Sequence, residues 1–193
     1  MHMISSLSGA NLLLGSKSPR RRELLAKLDV AFESVEIDVD ESFDNAMNCH
    51  HVAQYLAEKK SKAYTNLDPK KILITSDTTV ICENTILNKP EDFKDAKRML
   101  QQISGKTHVV NTGVCIRSTE KTVSFYEETE VVFKVLSDSE IEYYILTYKP
   151  FDKAGAYGIQ EWIGMIGITS LNGCYYNVMG LPTNRLYNEL CKF

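Results

Sequence analysis

Short apolar runs alternate with longer amphipathic stretches along this chain. Asn11-Leu12-Leu13-Leu14 reads as a buried strand. Gly15 to Ser18 forms a turn, and Ser18-Pro19 supplies an N-cap followed by proline at the first helical position. A helix is predicted from there through Arg22-Glu23-Leu24-Leu25 to about Leu28. Val30 to Val39 predicts a strand, with Phe32, Val35 and Ile37 apolar. A second helix is predicted over Cys49 to Tyr64. It carries Ala53, Leu56 and Ala63 on one face, and Lys60 falls on that same face.

Ile72-Leu73-Ile74 predicts another buried strand, ending at Ser76-Asp77-Thr78-Thr79. A third helix is predicted to start near Pro90, with Glu91 and Asp92 in its first turn, where the dipole favours acids. Phe93, Ala96, Leu100 and Ile103 form its stripe, and Gly105 stops it. Val109 to Arg117 and Thr122 to Val135 predict a long antiparallel hairpin. Val123, Phe125, Val131, Phe133 and Val135 share one face of its second arm. Ser137-x-x-Glu140 is a capping box opening a fourth helix, with Ile141, Tyr144, Ile145 and Tyr148 aligned and Pro150 as its end. A last helix follows Pro182, with Leu186 and Leu190 aligned.

This order predicts a mixed α/β domain that is not doubly wound. Six of the ten glycines fall between Gly155 and Gly180, a density that suits close backbone approach to a ligand, unusual φ values, or a plain series of turns. At 193 residues one domain is expected, residues 1–193, with room for two lobes. Hydrophobic residues at 44% and charged residues at 24% exclude a disordered or collagen-like chain. No apolar run approaches the roughly 18 residues a membrane span requires. Lysine and arginine total 22 against 25 acids, and a net charge of −3 argues against a nucleic-acid partner. Five scattered cysteines without C-x-x-C spacing argue against a disulfide framework or structural zinc. With no signal-peptide pattern at the N-terminus, a reducing, cytoplasmic setting is expected.

The stretch from Leu12 to Arg22 carries the strongest chemical signal. A helix N-terminus offers unpaired N–H groups and a positive dipole end, which suit phosphate. Ser16, Ser18, Arg20, Arg21 and Arg22 deepen that preference. Three arginines in a first turn oppose the dipole, so a bound polyanion would compensate them, and a solvated basic patch is the plainer alternative. Asp77 follows an apolar strand, at the end where α/β sheets commonly place catalytic groups. Taken by itself it reads as a metal ligand, a general base or a turn cap. A phosphatase built on a strand-end aspartate needs a second one two residues on, and Thr79 stands there, which excludes that reading. Glu41 lies in an acidic run with Asp38, Asp40 and Asp44. Lys60 reads either as site or as a snorkelling side chain, and Lys89, beside Pro90, as site or loop. His50, His51, His108 and Trp162 carry no chemical expectation. Together these residues point to a phosphate-ester or nucleotide site. Magnesium in such sites is held by one or two carboxylates plus substrate phosphates.

Several ordered motifs resemble the Maf family of nucleoside triphosphate pyrophosphatases. Ser16-Lys17-Ser18-Pro19-Arg20-Arg21 resembles its S-x-S-P-R-R signature, and Leu56-Ala57 with Lys60 its L-A-x-x-K helix. Ser76-Asp77-Thr78, Asn88-Lys89-Pro90, Ser104-Gly105-Lys106-Thr107-His108 and Thr112-Gly113 follow in family order. Then come Asp152-Lys153-Ala154-Gly155-Ala156-Tyr157-Gly158-Ile159-Gln160 and Asn177-Val178-Met179-Gly180-Leu181-Pro182. Departures are Ser76, where many members have alanine, and Glu161-Trp162, where a glycine is common.

The resemblance implies an elongated, twisted mixed sheet flanked by helices, with two lobes and a cleft, similar to inosine triphosphate pyrophosphatases. It implies a cytoplasmic homodimer that uses a divalent metal, Mg²⁺ or Mn²⁺, to split a nucleoside triphosphate into monophosphate and pyrophosphate. By position, Asp77 matches the proton acceptor and Glu41 its acidic partner, and both are expected to hold the metal. Ser16, Arg21, Lys60 and Lys89 match the phosphate-binding and catalytic set. Arg20, Thr78 and Gln160 stand at the positions that divide the family by substrate, and here resemble the subgroup acting on dTTP and UTP. A glutamine amide can accept from N3–H of uracil or thymine and donate to O4, whereas a glutamate only accepts. The competing expectation, from another class, is a non-catalytic nucleotide-binding regulator of cell division or septation.

Overall fold

A computed structural model describes residues 11–193. The N-terminal stretch read for a signal peptide lies largely outside them. The strands are β1 (Asn11–Gly15), β2 (Phe32–Val35), β3 (Lys71–Cys82), β4 (Thr85–Leu87), β5 (Thr107–Arg117), β6 (Thr122–Phe133) and β7 (Ile168–Asn172). The helices are α1 (Pro19–Ala26), α2 (Cys49–Ala63), α3 (Phe93–Ile103), α4 (Asp138–Tyr148), α5 (Trp162–Gly167), α6 (Tyr175–Met179) and α7 (Thr183–Leu190). The sheet runs β2-β1-β3-β5-β6-β7, with β4 on β3. β1 is parallel to both β2 and β3, while β4 and β7 are antiparallel to their neighbours, so the sheet is mixed, as expected. No helix among the described residues is long and apolar enough to cross a membrane.

The chain forms two compact units, with β3, β5 and β6 each contributing to both. The first holds the described residues up to Asp77, then Thr112–Glu127 and Gly180–Phe193. Its core gathers Leu13 and Leu14 of β1, Leu25 of α1, Ala53 of α2 and Leu186 of α7, all buried. The second holds Thr78–Asn111 and Glu128–Met179, around Leu100, Ile103, Phe133, Tyr144 and Ile163.

Local signals place most ends correctly. Ser18 caps α1, accepting from the Arg21 N–H at 3.4 Å, with Pro19 at the first position. The capping box of Ser137 and Glu140 is complete at α4. Tyr148 ends α4 partly exposed, its ring stacked on Tyr144. Other expectations are corrected. β2 is only Phe32–Val35; Ile37 and Val39 continue the inward alternation but lie beyond it. The third helix starts at Phe93 with Asp92 as N-cap rather than near Pro90, and Phe93 is 37% exposed instead of joining the buried stripe. β6 stops at Phe133, which leaves Val135 78% exposed. Ala63 is exposed, whereas Lys60 shares the buried face of α2 with Ala53 and Leu56.

The largest correction concerns β3. It does not end at Ser76-Asp77-Thr78-Thr79 but runs 12 residues from Lys71 to Cys82, because Thr78 to Cys82 is rich in β-branched residues that favour extension. It then turns back through Glu83 and Asn84, both with positive φ, into β4. Two central residues of positive φ make the hairpin turn that matches strand twist.

Helix α2 is fixed against the sheet of the first unit by two contacts. The Thr75 hydroxyl donates to the Ala57 carbonyl at 2.7 Å. At Gly113 of β5 the α2 backbone comes so close that an added Cβ would lie 2.3 Å from the carbonyl of Ala53. That neighbour is backbone and cannot swing aside. Gly113→Ala is therefore expected to destabilise the protein by about 3 kcal/mol, at the upper end for overpacking. A urea midpoint within error of the wild type would disprove the close approach.

Candidate active site

Strand and helix periodicity bring the central groups together. Thr75 and Asp77 lie two residues apart and share a face of β3. Ala57 and Lys60 lie three apart and share a face of α2. Because Thr75 is bonded to Ala57, Lys60 is carried over Asp77. The Lys60 Nζ donates to the Asp77 carboxylate and pairs with Glu41 Oε1 at 2.8 Å. Side-chain exposures of 11% for Lys60 and 14% for Asp77 make this a shielded pair, while Glu41, at 49%, reaches it from the irregular segment after β2. Two carboxylates thus converge on one cationic position.

Arg21 completes the cluster in the first unit. Its Nε donates to the Gly180 carbonyl and its Nη1 to the Ser76 carbonyl, both at 2.8 Å. Burial pulls the guanidinium below its ordinary value, opposed by the charges of Asp77 and Glu41. The three-arginine turn is therefore not simply a solvated basic patch. Arg21 is tied down, Arg20 is partly buried and Arg22 is exposed. Ser16 is buried in the turn after β1, where its hydroxyl accepts from the Ser18 N–H at 3.2 Å.

Among the described residues no group of three or more His, Cys, Asp or Glu gathers into a metal-binding set. The cluster offers an incoming cation the two carboxylates of Glu41 and Asp77 and no third anionic ligand.

Thr78, Lys89 and Gln160 belong to the second unit. Thr78 is partly buried in β3, and Lys89 is exposed in the connection from β4 to α3. Gln160 sits in a turn closed by the Glu161 N–H donating to the Gly158 carbonyl at 3.0 Å. Its Oε1 is buried and has no hydrogen-bond partner.

Sequence reasoning missed three groups that support this turn. The Tyr144 hydroxyl donates to Glu161 and accepts from the Gly158 N–H at 3.0 Å. Burial, and then the Glu161 acceptor, push the phenol well above its ordinary value, so it stays a donor. Buried Lys153 pairs with Glu161 at 3.1 Å and Asp152 at 2.7 Å. A lysine immediately before the uncharged stretch Ala154 to Ile159 was the available signal, and it stood there only as part of a motif.

The model of the family described as Maf-like protein matches residues 11–193. The chain belongs to the Maf family. A dTTP/UTP pyrophosphatase of Porphyromonas gingivalis strain W83 is 48% identical, covering 99% of this chain and 98% of that protein. Proteins of the same name from Phocaeicola vulgatus and Bacteroides thetaiotaomicron are each 45% identical, over 98% of this chain and 100% of theirs. Among solved structures, the Ham1 protein of Staphylococcus aureus aligns at 10% identity with a TM-score of 0.44, covering 64% of this chain and 71% of that one. In this Maf protein the S-x-S-P-R-R turn, the L-A-x-x-K helix and the aspartate of β3 lie in one unit, where Lys60 joins the helix to Asp77 and Arg21 joins the turn to β3 at Ser76.

Proposed function

We propose that this protein hydrolyses dTTP and UTP to the nucleoside monophosphate and pyrophosphate. The observation that carries the reading is identity of 45–48% over nearly the whole chain to proteins named dTTP/UTP pyrophosphatase. The regulator alternative is not carried forward, since those relatives are named as enzymes.

Water attacks the α-phosphorus, the α–β anhydride bond breaks, and pyrophosphate leaves. The Asp77 carboxylate takes the proton of the water. Lys60 fixes that carboxylate through its ion pair and sets positive charge beside the phosphates. Ser16, Arg21 and Lys89 bind and orient the triphosphate. Positioned cations of this kind account for most catalysis of phosphoryl transfer.

Glu41 and Asp77 would hold a divalent cation, Mg²⁺ or Mn²⁺. Their convergence on the Lys60 ammonium fits an ion that takes one or two carboxylates and completes its shell with water and phosphate. When bound, it supplies charge neutralisation on the triphosphate. The family resemblance also implies a cytoplasmic homodimer, and light scattering of the purified protein tests the dimer.

Arg20, Thr78 and Gln160 select the base. The buried, unpartnered Gln160 Oε1 supports this, being an acceptor suited to N3–H of a pyrimidine. Gln160→Glu should lower kcat/KM for dTTP and UTP about 10²-fold, because one polar contact is left mismatched in a buried site. Pyrophosphate release from dTTP, UTP, CTP, GTP and 7-methyl-GTP, with and without Mg²⁺ or Mn²⁺, tests both parts. Release confined to 7-methyl-GTP would overturn the substrate assignment, and no release from any of them would overturn the reaction.

A further inference from the structure

The turn that carries Gln160 is held at both ends by one phenol. Residues 158–161 form a tight turn in which Ile159 and Gln160 are the central pair, closed by the Glu161 N–H on the Gly158 carbonyl at 3.0 Å. The Tyr144 hydroxyl accepts from the Gly158 N–H at 3.0 Å, before the central pair, and donates to the Glu161 carboxylate, after it. Glu161 is in turn paired with Lys153 at 3.1 Å, and Lys153 with Asp152 at 2.7 Å. Lys153 keeps only 9% of its side-chain exposure and Glu161 only 19%, so the pair is shielded from water. Space is tight around it: a Cβ on Gly158 would lie 2.9 Å from the Glu161 carboxyl carbon. Tyr144 itself is buried on the inner face of α4, which fixes where its hydroxyl can be.

A surface turn needs none of this. Burying an ion pair and a phenol to hold two residues carries a desolvation cost, and such a cost is sustained where the position of those residues matters. Side chains that recognise a ligand keep their geometry only when a supporting shell fixes them. We propose that Tyr144, Glu161 and Lys153 are positioning residues for base recognition, acting through the turn that presents Gln160. The inference rests on the reading of Gln160 as the group that selects the base. Tyr144 locks both ends of the turn, and Lys153 holds Glu161 in register with it. None of the three needs to touch the nucleotide. Their loss lets Gln160 wander, so recognition of the base weakens while binding of the phosphates is kept.

The test uses the whole protein and steady-state kinetics. Tyr144→Phe removes only the hydroxyl and keeps the ring that fills the core. It should raise KM for dTTP and UTP about tenfold and lower their preference over GTP by a similar factor. kcat for dTTP, and the inhibition constant of inorganic pyrophosphate, should stay within about twofold, since neither depends on the base. Glu161→Gln, which keeps shape but removes the charge facing Lys153, should move the same quantities in the same direction and serves if Tyr144→Phe does not fold. A folded Tyr144→Phe with unchanged KM and preference overturns the proposal. So does a pyrophosphate inhibition constant that rises in step with KM, since that signals general damage.

Gln160→Ala and the double variant separate this proposal from the reading beneath it. If Tyr144 acts through Gln160, Tyr144→Phe adds nothing further to KM in the Gln160→Ala background. Full additivity overturns the positioning role while leaving Gln160 as the reader of the base. A Gln160→Ala variant with wild-type preference overturns the reading of Gln160, and the positioning role with it.

Discussion

Asp77→Asn is expected to lose about 10²–10⁴ in kcat for dTTP, the span that removal of a general base typically costs, while folding nearly as the wild type does. The electrostatics of the cluster explain why activity and stability should separate. Lys60 Nζ is shared between Asp77 and Glu41. Neutralising Asp77 leaves the ammonium paired with Glu41 at 2.8 Å, so no buried charge is stranded. The asparagine oxygen can still accept from Lys60. Lys60→Met is the opposite case. It leaves two carboxylates, one of them shielded, without the cation between them, and removing one partner of a buried pair costs about 3–5 kcal/mol. That variant should lose both activity and stability. Pyrophosphate release and thermal unfolding of the two variants distinguish the roles. Turnover of Asp77→Asn within tenfold of wild type would remove Asp77 as proton acceptor. A Lys60→Met protein as stable as wild type would show that the carboxylates are not held by that ion pair.

The position of Asp77 shows what sequence reasoning reached and where it failed. Helix α2 was legible because its apolar face repeats at helical spacing, and Lys60 was found on that face for the same reason. The turn from Gly15 to Ser18 and the start of α1 were legible through proline and a capping serine. Asp77 was singled out, but as a strand-end residue, because a carboxylate with flanking hydroxyl residues reads as a break. In the structure it sits within a 12-residue strand, against its own β preference, which is itself a mark of a functional position. No pattern on β3 alone could say so, since the compensating cation comes from α2. The segment from Gly155 to Gly180 was illegible for a different reason. Its elements are five or six residues long, too short for periodicity to register. The support of Gln160 depends on Tyr144, 14 residues before Gly158, which the stripe of α4 marked only as core.

His108 was given no chemical role from sequence, and its surroundings now define a second large effect, on acid stability. The imidazole is 1% exposed, stacked on Phe133 and edge-on to Tyr157, with Nε2 at 2.8 Å from the Tyr157 hydroxyl. Its Nδ1 is buried without a partner. Burial pulls the group from 6.5 to about 4. Between those values the unfolded chain binds the proton and the folded chain does not, so stability rises with pH across that window. The contribution is complete at pH 7.5 and is lost as pH falls from about 6.5 toward 4, amounting to about 3 kcal/mol over the whole range. Asp40, held low by hydrogen bonds from Ser42, Asp95, held low by Arg98, and Glu140, held low by Lys134, work at more acid pH. Their contributions are present above the ordinary carboxylate values and fade below them, so the interval from pH 6.5 to 5 isolates His108 from these acids. Urea unfolding should therefore show the wild type losing about 1.5 kcal/mol over that interval. His108→Gln keeps an amide to meet the Tyr157 hydroxyl but cannot titrate, and its stability should stay flat within a few tenths of a kcal/mol. Parallel pH curves for the two proteins would mean that His108 is protonated as readily in the folded state as in the unfolded one.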